Sequence, residues 1–319
     1  MSRARTFLDE AGAVFGFCHE QIPGKGEDSC CYRIHEQGGI LGVFDGCGGL
    51  GAQSYARFGG HSGAYMASRA VAAASMKWCE GQRAKDPIDI EALKGCIAEA
   101  FSVCDAVANE PQTKLRGAMV RPFPTTMSLF YFRHAMKKTT FTAISAGDSR
   151  LYLLDAGGLK QLNRDDLAGE DAFSNLYHDA PMTNVVSSDG DYELSKNSFV
   201  LTNACVLLAA TDGCFGYLPS PMDFEWLLLS TLFHSQSVDQ WQERLEDRIQ
   251  EIAGDDYTLM GLVYGCESFD GLQDFLYKRY EQVRGIMEDL PDGVEPRRQL
   301  WESYKQDYYA LALGGVPAV

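Results

Sequence analysis

The strongest constraint on this chain is a pair of segments that are apolar on both alternating faces. Residues 205–210 (CVLLAA) form a continuous apolar run, and residues 257–264 (YTLMGLVY) are largely apolar on either side. A strand projects its side chains to opposite faces in turn, so a strand apolar on both must be covered on both. Both segments therefore belong between layers of a larger core.

Other segments supply those layers. Short strands are expected at 14–17, 29–35 and 39–44, the last two joined through Gly38-Gly39, and at 127–132, 140–146 and 150–154. An alanine-rich helix is expected over about 62–80. A second follows Asp86-Pro87, with Asp as N-cap and Pro at the first helical position, and carries Leu93, Ile97, Phe101, Cys104 and Val107 at helical spacing. Val238, Trp241, Leu245, Ile249 and Ile252 mark an amphipathic helix. Residues 163–200 lack strong periodicity and read as a long lid or flap. After Gly265, residues 267–314 carry no strand signal and read as two helices split by Leu290-Pro291-Asp292-Gly293. Antiparallel strands with helix pairs between them predict an α+β fold of four layers, two central mainly antiparallel sheets flanked by helices. The domain expected is 1–266, with a C-terminal helical extension at 267–319.

Charge and composition exclude some function classes. Acidic residues outnumber basic ones 44 to 28, for a formal charge of −16, and there is no basic run. Nucleic acid is therefore not an expected partner. No stretch approaches the ~20 apolar residues of a membrane span. Residues 1–10 have arginines but no apolar h-region, so a cytoplasmic location is expected. The ten cysteines form no C-x-x-C pair and read as free thiols in a reducing compartment.

The residues suited to chemistry are aspartates at strand ends beside glycine. Asp45 follows GILGVF, Asp148 lies between FTAISAG and SRLYLL, Asp212 follows VLLAAT, and Asp255 precedes DYTLMGLVY; Glu27 and Asp28 end an early turn. Asp-Gly alone is an ordinary turn dipeptide, and Asp189-Gly190, Asp270-Gly271 and Asp292-Gly293 read as turns. The others adjoin strands that read as buried, so several can converge at one edge of the core. Buried carboxylates repel one another unless something positive joins them. Oxygen-only ligands favour Mg²⁺ or Mn²⁺, and two such ions can activate water and hold a phosphoryl group.

Other motifs give way. Gly46, Gly48 and Gly51 fit G-x-G-x-x-G, but a dinucleotide site needs the next strand within ~30 residues, and here two long helices precede Met127. There is no G-x-S-x-G elbow. Six histidines show no triad-like pairing.

Taken together and in order, these segments resemble the metal-dependent protein phosphatases of type 2C. The matching residues are Glu27-Asp28, Asp45-Gly46-Cys47-Gly48-Gly49, Thr125-Thr126, Gly147-Asp148-Ser149-Arg150, Thr211-Asp212-Gly213 and Asp255-Asp256-Tyr257-Thr258. They span about residues 11–265. The resemblance implies the four-layer αββα fold and a site for two Mn²⁺ or Mg²⁺ ions. Asp45 would bridge both ions, and Asp212 and Asp255 would complete one position. Glu27 and the Gly46 carbonyl would complete the other, with Asp28 behind them. Asp148 would hold a third, weaker ion, and residues 163–200 would occupy the flap region. Many members carry a phosphate-gripping arginine where this chain has Pro23; Lys25 is the nearest cation and the candidate phosphate contact. Cys47 stands where many eukaryotic members have a histidine, and reads as a small filler residue.

The function this implies is hydrolysis of phosphoserine or phosphothreonine in proteins by a metal-activated water, with Asp45, Asp212 and Asp255 as the catalytic aspartates. The expected partner is a phosphorylated protein. The C-terminal helices read as packing for stability, with a docking surface as the alternative. The competing reading is a catalytically weak or inactive phosphatase-fold regulatory or binding module, motivated by Pro23.

Overall fold

The computed structural model describes residues 7–82, 88–108, 122–135, 138–169, 171–178 and 180–312. In chain order its elements are α1 (Phe7–Glu10), β1 (Ala11–His19), β2 (Ser29–His35), β3 (Gly38–Phe44), α2 (Gly48–Gly51), α3 (Gly63–Gly81), α4 (Ile90–Ala108), β4 (Met127–Ala135), β5 (Lys138–Ala146), β6 (Arg150–Asp155), β7 (Gly158–Gln161), β8 (Ser195–Leu201), β9 (Cys205–Ala210), α5 (Pro221–Phe233), α6 (Val238–Gln250), β10 (Tyr257–Tyr264), α7 (Phe269–Asp289) and α8 (Val294–Tyr308). The strands make two five-stranded sheets, ordered β1-β10-β9-β6-β7 and β2-β3-β4-β5-β8. Every strand pairing in them is antiparallel.

The doubly apolar strands are sandwiched as their pattern requires. Leu207 and Ala209 of β9, with Met260 and Leu262 of β10, enter the core between the sheets, where they meet Leu41, Val43 and Phe130. The alternate residues Val206, Leu208, Tyr257 and Leu259 face a second core under α5–α8. A third core lies between the other sheet and α3 and α4, where Ile40, Phe44 and Leu129 meet Val71, Trp78, Leu93 and Ile97. The result is the four-layer αββα sandwich. No helix among the described residues is long and apolar enough to cross a membrane.

Several local expectations change. Asp86-Pro87 lies outside the described residues; α4 begins at Ile90, where Asp89 Oδ1 accepts from the Ala92 N–H at 2.9 Å. Val107 is 38% exposed, on the side of α4 away from the core, and Ile252, equally exposed, lies beyond the end of α6. Residues 163–200 are not wholly a flap: β8 begins at Ser195 and pairs with β5 as an edge strand. Only Phe199 of β8 is buried, so it has little of the alternation that marks a half-buried strand, and Lys196 suits an exposed edge. Helix α5 is buried almost all round; such a helix shows no amphipathic stripe. Its start is nonetheless written locally, by Ser220 as N-cap and Pro221 in the first turn.

The two C-terminal helices share the core under the first sheet. Leu272, Leu276, Tyr280 and Val283 of α7, with Trp301, Tyr304 and Tyr308 of α8, are buried in it. Glu225 of α5 is fully buried and accepts from Arg279 Nε at 2.6 Å, from Arg279 Nη2 at 2.8 Å and from the Tyr304 hydroxyl at 2.7 Å.

Candidate metal centre

Strand register gathers the acids. In one sheet Ser29 pairs with Phe44, so Glu27-Asp28, entering β2, lie beside Asp45, leaving β3. In the other, Ala210 pairs with Arg150 on one side and Leu259 on the other. Asp148, Asp212 and Asp255 therefore emerge at a common edge. Stacking the sheets brings the two groups together around a cleft of ≈ 220 Å³, lined by Glu27, Asp28, Asp45, Gly46, Asp148, Asp212, Asp255 and Asp256.

The turns around the cleft are tied down from behind. The Asp45 carbonyl accepts from the Thr126 N–H and the Thr125 hydroxyl, each at 2.8 Å, and the Asp45 N–H donates to Thr126 Oγ1 at 3.1 Å. Thr126 Oγ1 in turn lies 2.7 Å from Ser149 Oγ, which links the Asp45 turn to the turn carrying Asp148. Arg150 is buried, its guanidinium bonded to both oxygens of Asp165 at 2.6–3.2 Å and stacked over Phe215. A Cβ at Gly46 would lie 2.6 Å from the Ala64 carbonyl oxygen, and one at Gly48 would overlap the Glu27 carboxylate. The glycines thus permit this close approach rather than forming a dinucleotide loop. Strands β3 and β4 are antiparallel neighbours, which excludes a βαβ unit.

Electrostatically the cleft is frustrated. Burial pushes the Asp45 carboxyl well above the usual range, and the charges of Asp28, Asp212, Asp148 and Asp255 add to the shift. Asp28 is raised by burial against the lowering hydrogen bonds of Thr258 and Thr211. Asp148 is pushed up to about 8 by burial and by Asp212. Asp212 is raised by burial and Asp255, and drawn back by a hydrogen bond with Asp45. Glu27 is raised by burial. Asp148 Oδ1 is buried with no hydrogen-bond partner. Among the described residues no three such side chains close into a preformed cage; the acids line the cleft instead. An all-oxygen set of mutually repelling carboxylates with an orphaned oxygen fits hard divalent cations.

Lys25 and Cys47 sit differently. Lys25 is exposed on the Gln21–Asp28 turn and is not among the residues lining the cleft. Cys47 does line it, but burial and the Asp45 charge push its thiol well above its usual range.

The residues that support the cleft carry weaker signals in the sequence. The Glu27 side chain accepts from the Ser62 hydroxyl, and Ser62 also caps α3. The Glu27 N–H donates to Asp256 Oδ2 at 2.7 Å, and the Gln21 N–H to Asp256 Oδ1 at 2.8 Å. Arg69 donates to the Gly26 and Glu27 carbonyls while lying over the Tyr65 ring. The N-cap signal at Ser62 is local and readable; nothing local joins Arg69 to a turn more than forty residues earlier.

Neither a protein-family model nor a curated protein sequence matches the chain. Solved structures do. The serine/threonine phosphatase Stp1 from Staphylococcus aureus superposes with a TM-score of 0.58 at 17% identity, over 80% of this chain and 96% of that one. PppA, described as a key regulatory component of T6SS in Pseudomonas aeruginosa, gives 0.55 at 21%, over 79% and 97%. The catalytic domain of the serine/threonine phosphatase PstP, in complex with two manganese ions, gives 0.53 at 18%, over 79% and 97%. Over about four-fifths of its length, this chain has the backbone fold of the bacterial type 2C serine/threonine phosphatases.

Proposed function

We propose that the chain is a metal-dependent phosphatase of the type 2C family that hydrolyses phosphoserine or phosphothreonine in proteins. The observation carrying this reading is the convergence of Glu27, Asp28, Asp45, Asp148, Asp212 and Asp255 on one cleft in this fold. Asp45 would face both of two Mn²⁺ or Mg²⁺ ions, with Asp212 and Asp255 at one and Glu27 and the Gly46 carbonyl at the other. Asp148 would hold a third, weaker ion. Bound there, such ions neutralise phosphoryl oxygens and make water a better nucleophile. Thr125 and Thr126 hold Asp45 in place, and Ser62, Asp256 and Arg69 hold the Glu27 turn. Lys25 can contact the substrate phosphate only by moving in from the exposed turn, and Cys47 acts as a small wall residue. Ten free thiols favour a reducing cytoplasm.

Hydrolysis of p-nitrophenyl phosphate is the direct test, with Mn²⁺, Mg²⁺ or chelator. Turnover that requires added metal supports the reading, and turnover that persists in chelator refutes it. Pro23 and the open ligand set favour a second reading, a regulatory phosphatase-fold module that binds metal without turnover. Calorimetric Mn²⁺ binding with no hydrolysis of any phosphoester would select it.

A further inference from the structure

A second cavity, of ≈ 420 Å³, adjoins the acid cleft and shares Asp148 and Asp212 with it. Its size lies within the ~300–1,000 Å³ of ligand pockets. Its walls include Tyr177 and Tyr217, which are 39% and 50% exposed. Tyr177 is hydrogen-bonded in place, and the Tyr217 ring rests against backbone. The Tyr177 hydroxyl donates to the Pro219 carbonyl at 2.7 Å. The Tyr217 ring lies so close to Gly254 that a Cβ there would come within 2.8 Å of it. Arg150 and Asp165, also in the wall, neutralise one another, and His178 stands exposed beside Tyr177. Asp148 and Asp212 also line the acid cleft, but Asp212 would be taken up by one of the two principal ions, whereas Asp148 would hold only the weaker one. That leaves Asp148, whose Oδ1 is buried and has no partner.

We propose that this cavity receives an arginine or lysine side chain adjacent to the phosphorylated residue of a protein substrate, its stem along the Tyr177 and Tyr217 rings and its charged head toward Asp148. The inference rests on the phosphatase reading above. Aromatic faces attract a cation, and the aliphatic stem of arginine or lysine covers apolar surface while its head stays with polar groups. An orphaned carboxylate oxygen needs a positive or hydrogen-donating partner. An acidic side chain in the same place would meet Asp148 and find no arginine to pair with, since Arg150 is already held by Asp165. The substrate cation and a third metal ion would compete for Asp148.

The test compares three phosphoserine peptides that differ only in the flanking residues, arginine, alanine or glutamate, with p-nitrophenyl phosphate as a substrate that has no flank. The arginine peptide should show kcat/KM about two- to fivefold above the alanine peptide, the size of one cation–π contact at an exposed ring, and the glutamate peptide should fall below both. Tyr177→Ala and, separately, Tyr217→Leu should erase the arginine advantage, mainly through KM, while p-nitrophenyl phosphate turnover is unchanged. Equal kcat/KM for the three peptides alongside normal p-nitrophenyl phosphate turnover overturns the inference and leaves the phosphatase reading standing. So does an arginine advantage that survives both substitutions. If no phosphoester is hydrolysed, the phosphatase reading fails, and fluorescence anisotropy with the same labelled peptides decides this point: arginine-selective binding lost in Tyr177→Ala supports the cavity, and equal binding refutes it.

Discussion

The Thr211 hydroxyl donates a 2.9 Å hydrogen bond to Asp28 Oδ2, joining the end of β9 in one sheet to the turn that enters β2 in the other. Thr211 Oγ1 itself accepts from the Thr258 N–H at 2.9 Å. One buried side chain thus fixes the relative position of the two sheets where the acids converge. Thr211→Val keeps the shape but removes one of the two threonine donors to the buried Asp28 carboxyl and leaves the buried Thr258 N–H without its acceptor. We expect about 1–3 kcal/mol of lost stability per unsatisfied group, and Mn²⁺ affinity lowered about 10–100-fold, as for other groups that orient ligands. Thermal melting and calorimetric titration measure the two; an unchanged Mn²⁺ affinity would show that Asp28 plays no part in holding metal.

Asp45→Asn and Asp212→Asn should each reduce metal-dependent turnover by several powers of ten, because each removes a charge that offsets the cations. In the metal-free protein the same substitutions should raise the melting temperature at pH 8, since the lost carboxylates are raised chiefly by burial and also by neighbouring acids. Loss of activity with a lowered metal-free melting temperature would point to a folding defect instead.

Stability of the metal-free protein should fall as pH rises. Asp148 is held at about 8 against 3.8 for the free group, and Asp28, Asp45 and Asp212 are raised in the same direction. Within that window the folded state binds more protons than the unfolded state, so unfolding free energy decreases with pH. The contribution is present below pH 3.8 and is lost progressively toward and through pH 8. Melting in chelator should therefore drop by roughly 5 °C or more between pH 5 and pH 8, and saturating Mn²⁺ should abolish the drop. A flat profile in chelator would contradict the burial-driven shifts.

Cys47→Ala should change turnover of a phosphothreonine peptide by less than about threefold. A general acid at this position would cost ~10²–10⁴ when removed, but a thiol pushed well above its usual range by burial and Asp45 is a poor proton donor to a leaving group. The peptide is essential here, because p-nitrophenol leaves without protonation. A large loss on the peptide alone would make Cys47 the acid.

Arg279→Met should destabilise the protein by about 3–5 kcal/mol, because it leaves the fully buried Glu225 carboxylate without its cation. Removing residues 267–319 would also strip the core under the first sheet, so insoluble protein is expected. Soluble, fully active truncated protein would show that α7 and α8 are dispensable and would favour a docking role.

What the sequence determined follows from local rules. Strands apolar on both faces required layers on both sides, and helical spacing marked the helices that cover them, α7 and α8 included. Asp-Gly turns beside apolar strands singled out Asp45 and Asp212, because a turn residue follows directly from the strand before it. Tertiary structure decided what local pattern does not encode. Helix α5 is buried almost all round and β8 has only Phe199 buried, so neither carries the half-buried period that sequence reading depends on. The register that sets Arg150 and Leu259 on either side of Ala210 brings together acids more than a hundred residues apart in sequence. Arg69, Asp256 and Thr211 support the cleft only through contacts across the fold, and the cavity at Tyr177 and Tyr217 exists only once those chain segments meet.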